Sequence, residues 1–225
     1  MSEVERASNG TRARRVCVYC GSRSGNRPAY TEAARALARD LAVRGCDLVY
    51  GGASVGLMGV VADAMLAAGR EVIGVLPSAL FQREVAHRGL TRLVEVDSMH
   101  ARKAAMAELS DAFIALPGGF GTLEEIFEVL TWTQLGLHAK PCGLLDVEGY
   151  FGHLGEFLSH TVAEGFVSRR NLEHLAIDAD PSRLLDAMTT REGAADLAVA
   201  WTMRYGAPPR PVDQGGPGDR SSPSG

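Results

Sequence analysis

The chain has 225 residues, 46% of them hydrophobic and 6% aromatic, with a formal net charge of −4. That length suits one domain with a sizeable core, and the acidic balance offers no general attraction to nucleic acid or to an anionic membrane. No apolar run approaches the roughly 20 residues that cross a bilayer, and the polar start "MSEVERASNGTRARR" lacks the apolar centre of a secretory signal. A cytoplasmic protein that touches neither membrane nor nucleic acid is expected.

Short apolar runs alternate with longer amphipathic ones along the chain. "RVCVYC" reads as a first strand, and "AYTEAARALARDLAVRG" as a helix stopped by Gly45. "DLVYGG" is a second strand, "GLMGVVADAMLAAGR" a helix closed by Gly69, and "EVIGVLP" a third strand. "RLVEV" follows as a fourth strand and "MHARKAAMAELS" as a helix. "DAFIALPGG" is a fifth strand, continuously apolar from Ala112 to Leu116, which predicts burial on both faces at the sheet's centre. "TLEEIFEVLTWTQLG" is a helix, "PCGLLDV" a strand and "YFGHLGEFLSHTVAEG" a helix. "HLAID" and "DPSRLLDAMTT" supply a last strand and helix, and "GAADLAVAW" one more helical stretch.

This alternation predicts a single α/β domain, a Rossmann-like doubly wound parallel sheet flanked by helices, over residues 15–206. Residues 1–14 and 207–225 have little to bury and are expected to be disordered, the second as a tail free to meet a partner. Four cysteines are scattered, so no disulfide framework is expected. Cys17 and Cys20 form a C-x-x-C, but their odd spacing on a strand sends them to opposite faces, as small core residues. No metal site is expected.

In doubly wound sheets, ligands bind beyond the carboxyl ends of the strands, where strand order reverses. The loops there are glycine-rich: "CGSRSGNRP", "YGGASVGLMG" and "LPGGFGTLEE". Glycine lets the backbone come close to a ligand, and a helix N-terminus favours an anion. Gly118 to Thr122 is the strongest candidate for a phosphate seat. It carries no Walker lysine, and Glu124 stands where a dinucleotide fingerprint needs its third glycine, which excludes a nicotinamide dehydrogenase.

Two glutamates follow the seat directly. Thr122 to Glu125 fits a capping box, with Glu125 reaching back to its own helix, and on spacing alone that is the favoured reading of Glu125. The other reading is a carboxylate facing the sugar of a bound nucleotide, which needs a cation nearby. Arg102 and Lys103 supply one in "SMHARK", in the first turn of a helix, where the dipole disfavours them. Arginine is suited to gripping a carboxylate or phosphate in bidentate fashion.

Together "YGGASVGLMG", "SMHARK" and "PGGFGTLEE" resemble the Lonely Guy family of cytokinin-activating phosphoribohydrolases. The family signature P-G-G-x-G-T-x-x-E is met by Pro117, Gly118, Gly119, Gly121, Thr122 and Glu125, and the resemblance runs from about Val16 to Ser168. It implies hydrolysis of the N-glycosidic bond of adenosine 5′-monophosphate, or of its N6-prenylated form isopentenyladenosine monophosphate, to the free base and ribose 5-phosphate. No cofactor is implied, and a homodimer with the site near its interface is. The resemblance makes Arg102 and Glu125 catalytic. Substrate contacts are expected from Gly21, Ser22, Gly51 and Gly52 in the first two loops, and from Pro117 to Thr122 with Phe120, Leu123 and Glu124. Glu84, Lys103 and Thr131 match further substrate positions, and Met58, Met99 and Phe120 are candidates for the N6 pocket.

Glycoside cleavage builds positive charge on the sugar, which a carboxylate stabilises. Glu125 is then either nucleophile or base toward water, and Arg102 is expected to orient it and keep it ionised. Two other readings are carried. One is a binding module of the same fold that holds a nucleotide or a molybdopterin-like cofactor without cleaving it. The other is a plain AMP nucleosidase. Some relatives carry an old lysine decarboxylase label, for which this chain has no pyridoxal-phosphate lysine motif.

Overall fold

The computed structural model describes residues 14–78 and 86–189. The expected helical stretch at 193–201, most of the two terminal segments and Glu84 therefore lie outside the described residues. The strands are β1 (Arg15–Tyr19), β2 (Asp47–Tyr50), β3 (Val72–Pro77), β4 (Arg92–Val96), β5 (Ala112–Ala115), β6 (Cys142–Leu145) and β7 (Leu175–Asp178). The helices are α1 (Pro28–Val43), α2 (Gly56–Ala67), α3 (Met99–Leu109), α4 (Phe120–Gln134), α5 (Gly152–Ala163), α6 (Arg169–Leu172) and α7 (Pro181–Thr189). All seven strands pair in parallel in the order β4-β3-β2-β1-β5-β6-β7.

The sheet is covered on both faces, and the side chains of β1 show why. Val16 and Val18 point into one core with Leu37 and Leu41 of α1, Val61 and Met65 of α2, and Leu184 of α7. Cys17 and Tyr19 point the other way, among Met106 of α3, Ile126 and Val129 of α4, and Leu158 of α5. Period-two alternation on a strand buried on both faces requires this split. Cys20 joins the first core and Cys17 the second, as their odd spacing dictates. All four cysteines are buried and free.

Every strand and long helix expected within the described residues is present, most with ends shifted by a few residues. The centre of the sheet is β1, with β5 beside it. The short helix α6 and a 3-10 turn at Val147–Gly149 were not anticipated; both are too short to carry a periodic pattern. Chain order runs outward through β2, β3 and β4, then returns to β5 and runs the other way. The reversal lies between β1 and β5, so the crevice opens where the glycine loops stand.

Those loops touch. Gly56, the first residue of α2, has φ +58°, and a Cβ there would collide with the backbone of Ser22 and Arg23. Neither neighbour is a flexible side-chain end, so the backbone itself must move. Gly56→Ala is expected to destabilise the fold by about 3 kcal/mol, the upper range for one strained position, measured by urea unfolding against Gly69→Ala. Gly69 shares a positive φ but faces open space, so its variant reports the φ cost alone.

Candidate functional site

Backbone hydrogen bonds lace the three loops together. The Gly21 N–H donates to the Pro117 carbonyl (3.1 Å), and the Leu57 N–H donates to the Gly21 carbonyl (3.0 Å). Residue 21 thus joins the loops after β1, β2 and β5. Two cavities flank this seam. One, of about 250 Å³, is lined by the β1 end from Val18 to Ser22, with Gly51, Met58, Arg102, Gly119 to Thr122 and Glu125. The other, of about 400 Å³, lies on the α1 side between Ser22 to Gly25, Tyr30, Leu57, Pro117 to Gly119 and Tyr150. They share Gly21, Ser22 and Gly119.

The N-terminus of α4 opens into the smaller cavity. Gly119 is the N-cap, with no side-chain cap, and the helix begins at Phe120. This overturns the capping box. Thr122 is the third helical residue, buried at 4% exposure, and Glu125 lies in the second turn, too far along to reach the cap. Glycines at 119 and 121 start the helix two residues earlier than its hydrophobic pattern indicates. Glu125 is thereby released from any capping duty, and its side chain faces the cavity.

Arg102 and Lys103 are buried as well, at 8% and 9% exposure, which excludes a solvated basic pair. The helix α3 that bears them is capped by the Ser98 hydroxyl, accepting from the Ala101 N–H at 3.1 Å. The Arg102 guanidinium lies 3.5 Å from the Glu125 carboxylate, and one of its NH2 groups lies 3.8 Å from the Met99 sulfur. Its Nε is buried and bonds to none of the described residues. Gly51 makes room for it: a Cβ at residue 51 would strike the guanidinium and approach the Met58 sulfur at 3.2 Å.

Burial pushes the Glu125 carboxyl up to about 7, against the opposing pull of Arg102; Glu124 and Glu128 add to the rise, and Lys103 resists it. Arg102 does pull the carboxyl toward its ionised form, as expected, but it does not suffice to keep Glu125 fully ionised at neutral pH. Desolvation of a nearly enclosed carboxylate outweighs one guanidinium at 3.5 Å. The result is a carboxyl that gains and loses its proton near neutrality, the range useful to an acid–base group.

Of the other expected site residues, Gly21, Ser22, Gly51, Met58, Gly119, Phe120, Gly121 and Thr122 line the Arg102–Glu125 cavity. Pro117 and Gly118 line the neighbouring one. Five lie elsewhere. Gly52 turns away at φ +81°, its carbonyl accepting from the His87 N–H at 3.0 Å. Leu123 packs against the core. Met99 lines neither cavity and is 45% exposed. Thr131 is exposed and donates its hydroxyl to the Phe127 carbonyl (2.7 Å) in its own helix. Lys103 and Glu124 bind one another rather than facing the cavity. Sequence reasoning missed Tyr19 on the cavity floor, and Tyr30 and Tyr150 in the second cavity. The Tyr150 hydroxyl donates to the Gly118 carbonyl at 2.6 Å. Its position in the loop after β6, at the carboxyl edge of the sheet, was the available signal.

A raised carboxyl also marks stability. Glu125 binds its proton more tightly folded than unfolded, so the stabilisation is complete below the ordinary value of 4.5 and is lost as pH rises through about 7. Between about pH 5 and about pH 8 the native protein should lose roughly 2 kcal/mol that Glu125→Gln does not lose. Thermal unfolding of both proteins at the two pH values checks this; parallel losses overturn it.

Residues 58–188 match a family model described as possible lysine decarboxylase. A probable cytokinin riboside 5′-monophosphate phosphoribohydrolase of Oryza sativa subsp. japonica is 54% identical over 75% of each chain. A cytokinin riboside 5′-monophosphate phosphoribohydrolase of Arabidopsis thaliana is 50% identical over 76% of this chain and 80% of its own. Among solved structures, the molybdenum cofactor carrier protein of Chlamydomonas reinhardtii superposes with a TM-score of 0.61 at 22% identity, over 83% of this chain and all of the other. The molybdenum cofactor binding protein of Rippkaea orientalis gives 0.57 at 21%, over 84% and 97%. At such identities these two establish the shared fold and nothing more. At 50% to 54% identity to plant phosphoribohydrolases over three quarters of its length, this chain belongs to the Lonely Guy family.

Proposed function

We propose that this protein hydrolyses the N-glycosidic bond of a nucleoside 5′-monophosphate, AMP or its N6-prenylated form, to the free base and ribose 5-phosphate. The observation that carries this reading is the buried Arg102–Glu125 pair, 3.5 Å apart, in a cavity that also holds the N-terminus of α4. The phosphate has a seat at the N–H groups of Phe120, Gly121 and Thr122, with the Thr122 hydroxyl beside them. A sugar extending from that seat meets Glu125, one turn further along the same helix.

As the glycosidic bond breaks, positive charge spreads over the ribose, and the ionised Glu125 stabilises it as nucleophile or as the base that activates water. Arg102 orients the carboxylate and has an unused buried N–H for the substrate. Met58 and Phe120, the latter almost wholly exposed at the cavity rim, offer apolar contact to an N6 substituent. The domain comprises residues 15–206 between flanking segments. A cytoplasmic homodimer is part of the same reading. The exposed Phe120 and Met99 beside the site favour cover by a second copy, and among the described residues no helix is long and apolar enough to cross a membrane.

Chromatography of products after incubation with AMP, and separately with isopentenyladenosine monophosphate, tests the reaction. Free base is expected from the native protein, and Glu125→Gln should be slower by about 1,000-fold or more, the scale for losing a group that acts on the reacting centre. No base from either nucleotide with a folded protein would favour the binding-module reading. Gly51→Ala tests the pair's geometry: its clash is with a flexible side-chain end, so the fold should survive while displaced Arg102 lowers kcat/KM by about 100-fold. Native activity in that variant would separate Arg102 from the chemistry. Because Glu125 must be ionised, the native kcat/KM should fall as pH drops below about 7.

A further inference from the structure

Arg102 and Lys103 are consecutive on α3, yet they meet different partners. Successive helical residues point about 100° apart, so Arg102 enters the cavity while Lys103 reaches the flank of α4. There its ammonium binds Glu124 and, at 2.9 Å, Glu128. Those two glutamates stand four residues apart on one helix face, where like charges repel. Glu125 lies between them in sequence, so three carboxylates share little more than one turn of α4. Lys103 is buried, with 11% of its side chain exposed, and it lines neither cavity.

We infer that Lys103 is a positioning residue rather than a substrate ligand: it offsets part of the negative charge of Glu124 and Glu128 and so limits their effect on Glu125. This rests on the phosphoribohydrolase reading given above. The charged and titratable groups among the described residues that act on Glu125 fit the assignment. From α3 come Arg102 and Lys103, both favouring the ionised carboxylate; from α4 come Glu124 and Glu128, both opposing it. From β1 and the residue after it come Cys17, Tyr19 and Cys20, all held neutral by burial. The bond to Glu124 raises the Lys103 pKa, with the contacts to Glu128 adding to it, so the ammonium stays charged throughout the range in which Glu125 titrates.

The test is the pH profile of kcat/KM for AMP in native protein, Lys103→Met, and the triple variant Lys103→Met, Glu124→Gln, Glu128→Gln. Removing Lys103 alone exposes Glu125 to two uncompensated carboxylates, so its acidic limb should move up by about one pH unit. Well below the limb that is an about tenfold loss in kcat/KM, while KM above the limb stays within about twofold of native, as unchanged substrate binding requires. The triple variant removes one positive and two negative charges, so the limb should return to the native position or fall below it, a non-additivity diagnostic of direct coupling. A raised KM with an unmoved limb in both variants would make Lys103 a substrate ligand and overturn the inference. So would a limb that stays displaced upward in the triple variant. Should Lys103→Met fail to fold, a folded triple variant with its limb at or below the native position supports the charge-balancing role, and an unfolded one overturns it. Carbon-13 NMR titration of the Glu125 carboxyl in the same proteins reads the shift without turnover. A native protein that releases no base therefore defeats the functional reading, while an unmoved carboxyl titration defeats this one.

Discussion

Residue 21 is where three loops of distant sequence become one structure. Its N–H binds the Pro117 carbonyl and its carbonyl takes the Leu57 N–H, so the chain after β1 is stitched to the chains after β5 and β2. These are the groups that a strand leaves unpaired as it ends, and each needs a partner once water is excluded. Meeting that need among the loops themselves draws Gly51, Arg102, Glu125 and the α4 N-terminus around one cavity. The site is thus a consequence of satisfying the backbone at the strand order's reversal.

Within that frame, electrostatics does the selecting. The α4 N-terminus presents unpaired N–H groups and a positive dipole, which suits a phosphate. One turn later the same helix presents Glu125, which suits the cation that forms on the sugar. A carboxylate beside an anion seat is tolerable because burial brings its proton within reach near neutral pH, and because Arg102 stands opposite. The arrangement carries a conformational and electrostatic cost to the fold, as sites built for chemistry generally do.

The second cavity shows how closely the glycine loop is supported from behind. Tyr150 holds the Gly118 carbonyl from the α1 side, and its ring meets Tyr30 edge-on at 5.8 Å. Arg27 and Glu148 form an ion pair at 2.7 Å between the start of α1 and the loop after β6, and Glu148 sits at φ 51°, a left-handed conformation uncommon outside glycine. The glycine loop is therefore braced by a segment some thirty residues away in the chain, with its own local strain.

How much of this was legible beforehand depended on the range of the interaction. Strand and helix identities follow from periodicity, because a side chain's face is set by its immediate neighbours; hence β4, from Arg92 to Val96, was placed to the residue. The P-G-G-x-G-T-x-x-E run at residues 117–125, with Arg102 upstream, was equally legible, since its spacing is a property of one chain segment. The choice between cap and cavity for Glu125 was not, because two glycines moved the helix start and only the built helix shows where each residue points. Nor was the parting of Arg102 from Lys103, which turns on the distance between α3 and α4. The sequence by itself determined a doubly wound sheet and the glycine-rich loops at the carboxyl ends of its strands. Only the tertiary structure decided which carboxylate is buried beside which cation, because burial and charge proximity arise when distant segments pack.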